Sequence, residues 1–172
     1  TDKQALLDIL DDATRLNTGA RLYESETLLA HFDFLSRVFQ AHGLPLALYV
    51  DYHSFFYTHN PDVFTQLGAA LHFYGVHLRY APTPQAKGKI ERRHDYWQKR
   101  LVPLLAADDI RELTGANHLL DQLVPHANQH ETHRELGQTP LRAQQQALAE
   151  KRSVIRPAPA CPWWPYVWSQ RT

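Results

Sequence analysis

Hydrophobic positions along this chain fall either into short apolar runs or into stripes that recur at helical spacing. Ala5–Leu10 is short and mostly apolar, and reads as a strand. Asp11-Asp12-Ala13-Thr14 follows as a turn or strand end. Asn17-Thr18-Gly19 is a bend before a second strand over Ala20–Tyr23. Ser25 can cap a helix and Glu26 suits its positive first turn. Leu28, Phe32, Leu35 and Phe39 then recur at helical spacing until Gly43 ends the run.

Leu46–Val50 is a continuous apolar run that ends in Asp51, the pattern of a buried strand with an acid at its exit. A helix can begin at Pro61, with Val63, Leu67, Leu71 and Tyr74 in one stripe and Gly75 closing it. Val76–Ala81 reads as a further strand. The stretch from Pro82 to Gly88 is a loop by composition, and a helix follows from about Lys89, with Pro103 expected to kink or end it. Two more helical stretches are expected at Ile110–His130, interrupted by Pro125, and Thr139–Lys151, opened by Pro140. From Arg156 the texture changes. Pro157, Pro159, Pro162 and Pro165 alternate with Trp163, Trp164, Tyr166 and Trp168, as a linker entering a new strand would. The order strand–strand–helix–strand–helix–strand–helix predicts an α/β fold, a sheet flanked by helices. Acids at strand exits and at a following helix start would then cluster at one sheet edge, where ligands of open α/β sheets bind.

Composition narrows this only a little. With 172 residues, 44% of them hydrophobic, the chain can bury a core. No apolar run approaches the roughly 18 residues a membrane helix needs, so no membrane partner is expected. One cysteine, Cys161, excludes an internal disulfide framework and suits a reducing compartment. The formal net charge is zero, which argues mildly against a nucleic-acid partner, but the distribution argues the other way. Lys87, Lys89, Arg92, Arg93, Lys99 and Arg100 crowd one segment in which the acids are only Glu91 and Asp95. Such a run is also what a solvated helix face looks like.

Taken singly, Asp51 at a strand end and Glu91 in a first helical turn are ordinary. As a pair at one sheet edge they would repel unless a cation sat between them. Magnesium prefers oxygen ligands and uses one or two carboxylates plus phosphate oxygens. Lys87 and Lys89 would then meet a DNA backbone, which Gly88 lets approach closely. A rival metal site, zinc on His126, His130 and His133, is one residue short of the metalloprotease spacing. Trp97 suits core packing better than base stacking.

Asp51-Tyr52-His53-Ser54-Phe55-Phe56, then the block from Pro82 to His94 with Gln85-Ala86-Lys87-Gly88-Lys89-Ile90-Glu91-Arg92 at its centre, then Trp97-Gln98-Lys99-Arg100-Leu101, resemble the integrase core of bacterial insertion-sequence transposases of the DDE type. Asp11-Asp12-Ala13-Thr14-Arg15 also suits that group, and the resemblance runs from about Leu6 to about Ala147. Tyr52-His53 departs from the Asn-Gly that often follows the second acid. The resemblance implies an RNase H-like mixed sheet flanked by helices. It also implies DNA cleavage by water and strand transfer by a 3′-hydroxyl, with two divalent ions, Mg²⁺ or Mn²⁺. Asp51 and Glu91 would be catalytic and metal-binding. Lys87, Lys89 and Arg92 would bind DNA. The partners implied are DNA, at transposon ends and target, and further copies of the chain, in the nucleoid of a bacterial cytoplasm.

The family needs three carboxylates, the first of them on a central first strand. Only two strands precede the first helix here. The expectation is therefore that the first strand and its acid lie before Thr1, with Asp11 the alternative ligand and Asp8 and Asp12 close by. Residues 1–151 would form an incomplete core, and 152–172 a linker and the start of a C-terminal β domain. A fragment lacking the first acid could instead bind DNA or partner subunits without cutting. A third reading, an RNase H-like nuclease of another class, fits the Lys87–Arg92 block less well.

Overall fold

Ala5–Leu10 and Asn17–Tyr23 form strands β1 and β2, paired antiparallel with Leu6 opposite Leu22 and Asp8 opposite Ala20. The turn between them is tight because Arg15 adopts a left-handed conformation, with φ of 60°. Strand β2 begins three residues earlier than its apolar pattern suggests. Asn17 is buried, and its backbone N–H and C=O are both taken by the Asn128 side chain, so a tertiary contact extends the strand. The computed structural model describes residues 4–50, 65–80 and 84–163, together with Tyr166 and Gln170.

Helix α1, Leu28–His42, is capped by Thr27, whose hydroxyl accepts from Ala30 N at 3.1 Å. Ser25, the expected cap, lies in the bend before it. Gly43 ends α1 with φ of 83°. Strand β3, Ala47–Val50, pairs parallel with β4, His77–Tyr80, and helix α2, Gln66–Phe73, runs between them from a Thr65 cap. This strand–helix–strand order supplies the crossover that a parallel pair requires. Pro61 and Val63, expected at the start of α2, fall outside the described residues.

Helix α3 covers Pro84–Ala107, so it starts earlier and ends later than composition suggests. Pro84 can open it because a first-turn residue needs no N–H partner. Pro103 lies inside it without ending it, as Pro125 does in α4, Leu113–His130. Both prolines are exposed, so water can take the carbonyl each leaves unpaired. Trp97, Leu101 and Leu120 hold the opposite, buried faces. Helix α5, Pro140–Ala149, is capped by Thr139.

The described strands form two separate two-stranded sheets, β1–β2 and β3–β4. The chain divides into two compact units on the same lines. The first unit comprises Thr1–Glu26 and Tyr96–Val154. Its core joins Ala20 and Leu22 of β2 to Trp97 and Leu101 of α3 and to Ala116 and Leu120 of α4. Trp97 is fully buried, as expected of a packing residue. The second unit comprises Thr27–Asp95 and Ile155–Thr172. It buries Phe34, Leu35, Val38 and Phe39 of α1, Leu67, Ala70 and Leu71 of α2, and Leu48 of β3.

The proline- and tryptophan-rich tail does not stand apart from this second unit. Leu44 N donates to Arg156 O at 2.8 Å, and the Arg156 guanidinium donates to the carbonyls of Leu44, Pro45 and Gly75. Trp163 donates its indole N–H to Phe32 O at 2.7 Å and meets the Phe32 ring edge-on. Trp163 and Tyr166 are helical, where the aromatic pattern suggests a strand.

Candidate DNA-processing site

Of the expected site residues, Glu91 and Arg92 are exposed side by side on α3, in the part of that helix that belongs to the second unit. Lys87 and Lys89 lie on the same helix, but their side chains are outside the described residues, as is all of Asp51. Position 51 follows directly on β3, which ends at Val50. The segment from Lys87 to Arg92 is therefore helical throughout, where its first half reads as loop from composition. Gly88 sits inside this helix. Among the described residues, a Cβ there would meet only the Arg92 guanidinium, at 3.8 Å. A glycine inside a helix costs roughly 1 kcal/mol against alanine, and no packing contact among the described residues calls for one here.

Asp11 is engaged in its own turn. Its carboxylate accepts from Ala13 N and Thr14 N, both at 3.3 Å, and from the Thr14 hydroxyl. Its backbone closes the hairpin, with Asp11 N donating to Leu16 O and Arg15 N to Asp11 O, both at 2.8 Å. Asp12 pairs with Arg15 at 2.6 Å. This is a hairpin-closing role, as the turn reading of Asp11-Asp12-Ala13-Thr14 expects.

His126, His130 and His133 are not drawn together on one helical face. The His126 and His130 rings lie 4.8 Å apart and tilted by 48°, while His133 lies beyond the helix, in a bridge to Gln138. Among the described residues no three or more His, Cys, Asp or Glu side chains gather as metal ligands would. Glu131 is committed elsewhere. It takes a two-pronged ion pair from Arg100, at 2.5 and 2.7 Å, and a hydrogen bond from the Tyr96 hydroxyl at 2.8 Å. Partial burial pushes the Glu131 carboxyl upward, but these partners outweigh it and hold the group below its ordinary value.

No family model matches the chain. Over 132 residues, 74% of its length, the chain is 33% identical to the transposase-named protein y4bF of Sinorhizobium fredii. Over 118 residues it is 34% identical to the transposase for insertion sequence IS1202 of Streptococcus pneumoniae. Its backbone matches the catalytic core domain of BIV integrase with a TM-score of 0.65 at 18% identity, over 88% of this chain and 92% of that one. In sequence the chain is similar to these transposases, and it carries the integrase catalytic-core fold. The HTLV-2 integrase catalytic core, solved in complex with magnesium, matches with a TM-score of 0.58 at 14% identity, over 81% of this chain and 92% of that one. The chain spans 29% and 25% of the two transposases it matches, so it corresponds to a part of each. No helix among the described residues is long and apolar enough to cross a membrane.

Three side chains important to this core escaped the sequence reading. Asn117 of α4 accepts from Leu22 N at 2.8 Å and donates to Leu22 O at 2.9 Å. Asn128, also on α4, does the same for Asn17, at 2.9 Å in both directions. Each amide thus replaces a neighbouring strand along the edge of β2. The signal was present as two polar residues interrupting the apolar stripe of α4. Arg156, the third, carried no such signal, because nothing in its local sequence names the carbonyls it collects.

Proposed function

We propose that this chain is the core part of a transposase that cuts DNA and joins the cut end to a target. The observation that carries the reading is the chain's sequence kinship with two transposases on an integrase catalytic-core fold. Asp51 and Glu91 would hold the divalent ions, Mg²⁺ or Mn²⁺, two in a complete site. The donor chemistry fits, since both are carboxylates and Glu91 is exposed and within reach of an ion. Such ions would neutralise charge at the reacting phosphate and favour an attacking water or 3′-hydroxyl.

Lys87, Lys89 and Arg92 would hold the DNA backbone by its phosphates, a contact that positions the strand without reading its sequence. Gly88 supports this placement. A helical glycine that no described side chain needs is understandable if another backbone must pass close to it. Phosphoryl transfer asks mainly for positioning and charge neutralisation, and these are what the named groups supply. The third carboxylate of a DDE site would come from a residue other than Asp11, whose oxygens the hairpin occupies. Assembly would involve several copies of the chain on DNA, in the bacterial cytoplasm at the nucleoid. A second reading, in which these residues bind DNA or partner subunits without cutting, rests on the same geometry with the third acid lacking.

A strand-transfer assay with labelled oligonucleotides and Mg²⁺ or Mn²⁺ separates the two. The catalytic reading expects product, and expects Glu91→Gln and Asp51→Asn each to reduce it on the order of a thousandfold while DNA binding persists. Full activity in Glu91→Gln would sink the site assignment. DNA binding with no product under either metal favours the second reading.

A further inference from the structure

Parallel sheets are ordinarily buried on both faces, and the β3–β4 pair is not. Leu48 is 9% exposed, whereas the next residue, Tyr49, is 59% exposed. Across the ladder Tyr49 pairs with Arg79, and His77 pairs with Ala47. Strand alternation puts Ala47, Tyr49, His77 and Arg79 on one face. Tyr49, His77 and Arg79 are all open to solvent.

Among the described residues, Arg79 has no carboxylate to pair with. Its guanidinium lies 5.9 Å from the centre of the Tyr49 ring and donates one hydrogen bond, at 3.3 Å, to the Tyr49 hydroxyl. A guanidinium has five donor positions in a planar fork that suits phosphate. The Tyr49 hydroxyl takes one of them, and the other donors meet no acid among the described residues. The ring beside it holds a flat apolar surface in water at low entropic cost.

We propose that this open face binds an unpaired DNA strand, with Arg79 on a phosphate and Tyr49 against a base. The inference rests on the DNA-processing reading above and adds to it a contact surface outside the residues of the acid-bearing motif. An exposed cation that meets no acid among the described residues suits a polyanion. The aromatic partner selects one with exposed π-faces, which an unpaired strand has and a stacked duplex does not. Tyr49 stands two residues before Asp51 in sequence, so a strand held here would run toward the second of the expected carboxylates.

The test is fluorescence anisotropy with a labelled single-stranded oligonucleotide, its abasic counterpart and the matching duplex, across a salt series. Arg79→Gln is expected to weaken single-strand binding about fivefold and to reduce the salt slope by about 0.7, the loss of one phosphate contact. Tyr49→Ala is expected to weaken binding to the normal strand about fivefold or more, and binding to the abasic strand hardly at all. A thermal melt of each variant in circular dichroism, expected unchanged, shows that a surface was altered and not the fold. If the wild-type chain binds the strand and both variants bind it equally well with the same salt slope, the proposal is overturned and the DNA reading stands. Binding to duplex alone also overturns it. Variants that keep DNA affinity but lose self-association in sedimentation would assign the face to a protein partner instead. Absence of any DNA binding by the wild type would overturn this proposal and the DNA-processing reading together.

Discussion

The two units of this core protect their strands by opposite means. In the first, the edge of β2 is sealed by two neutral amides, Asn117 and Asn128, both buried on a helix of the core. In the second, the starts of β3 and β4 are tied together by one charged group, Arg156, which arrives from the far end of the sequence. The amides satisfy backbone groups that water cannot reach, so their loss leaves buried donors and acceptors unpaired. The guanidinium collects carbonyls at a partly exposed site, where water can replace it. The first device should therefore be costly to remove and the second cheaper, although Arg156 makes three side-chain hydrogen bonds and each asparagine makes two.

Asn117→Ala is the strongest way to test this difference. It strands both Leu22 N–H and Leu22 C=O beside the first unit's core, and should cost about 3 kcal/mol. Urea denaturation should show the loss, and amide hydrogen exchange at Leu22 should accelerate more than at the other residues of β2. An effect below that of Arg156→Ala would reverse the comparison.

The second device can be broken from either side. Arg156→Ala should cost about 1–2 kcal/mol, with faster exchange at the Leu44 amide. Gly43→Ala should cost a similar ~1–2 kcal/mol, because φ of 83° disfavours a side chain. The added Cβ would also run into the Arg156 carbonyl. As both changes act on one contact, the double variant should lose less than the sum of the two. Strict additivity would mean that the tail does not hold the α1–β3 turn.

A smaller effect distinguishes charge from burial within the first unit. Because the Glu131 carboxyl is held below its ordinary value of 4.5, the unfolded chain takes up its proton first as acid is added. The Arg100–Tyr96–Glu131 contact therefore contributes stability fully above that ordinary value, and loses it as pH falls through the lower folded-state value. Glu131→Gln should cost about 1 kcal/mol near neutrality, and its melting temperature should decline less steeply than that of the wild type below pH 5. Parallel declines would show that other carboxylates set the acid sensitivity.

Much of this was visible in the chain itself. The apolar runs at Ala5–Leu10 and Ala47–Val50, the stripe of Phe32, Leu35 and Phe39 and the glycine stop at Gly43 are local signals that match the elements formed, although Leu46 falls outside the strand expected to include it and Tyr49 is exposed where a buried run was expected. The block from Lys87 to Arg92 carried the family resemblance without any coordinates. Local reading failed where a distant partner overruled it. Asn17 joins β2 because Asn128 pairs with its backbone, from 111 positions away. Pro103 and Pro125 stay inside helices because their lost hydrogen bonds face water while Trp97, Leu101 and Leu120 are buried behind them.

The candidate site divides along the same line. The sequence alone singled out the residues proposed to bear the chemistry, Asp51 at the end of an apolar run and Lys87, Gly88, Lys89, Glu91 and Arg92 in one short block that carries the family resemblance. Only the tertiary structure decided that the Asp11 carboxylate is taken up by Ala13 and Thr14, that Glu91 and Arg92 face solvent on one continuous helix, and that Tyr49 and Arg79 share an open sheet face. The physical reason is range. Helix and strand periods are written in neighbouring residues, whereas a side chain's partners and its exposure are set by residues that only folding brings close.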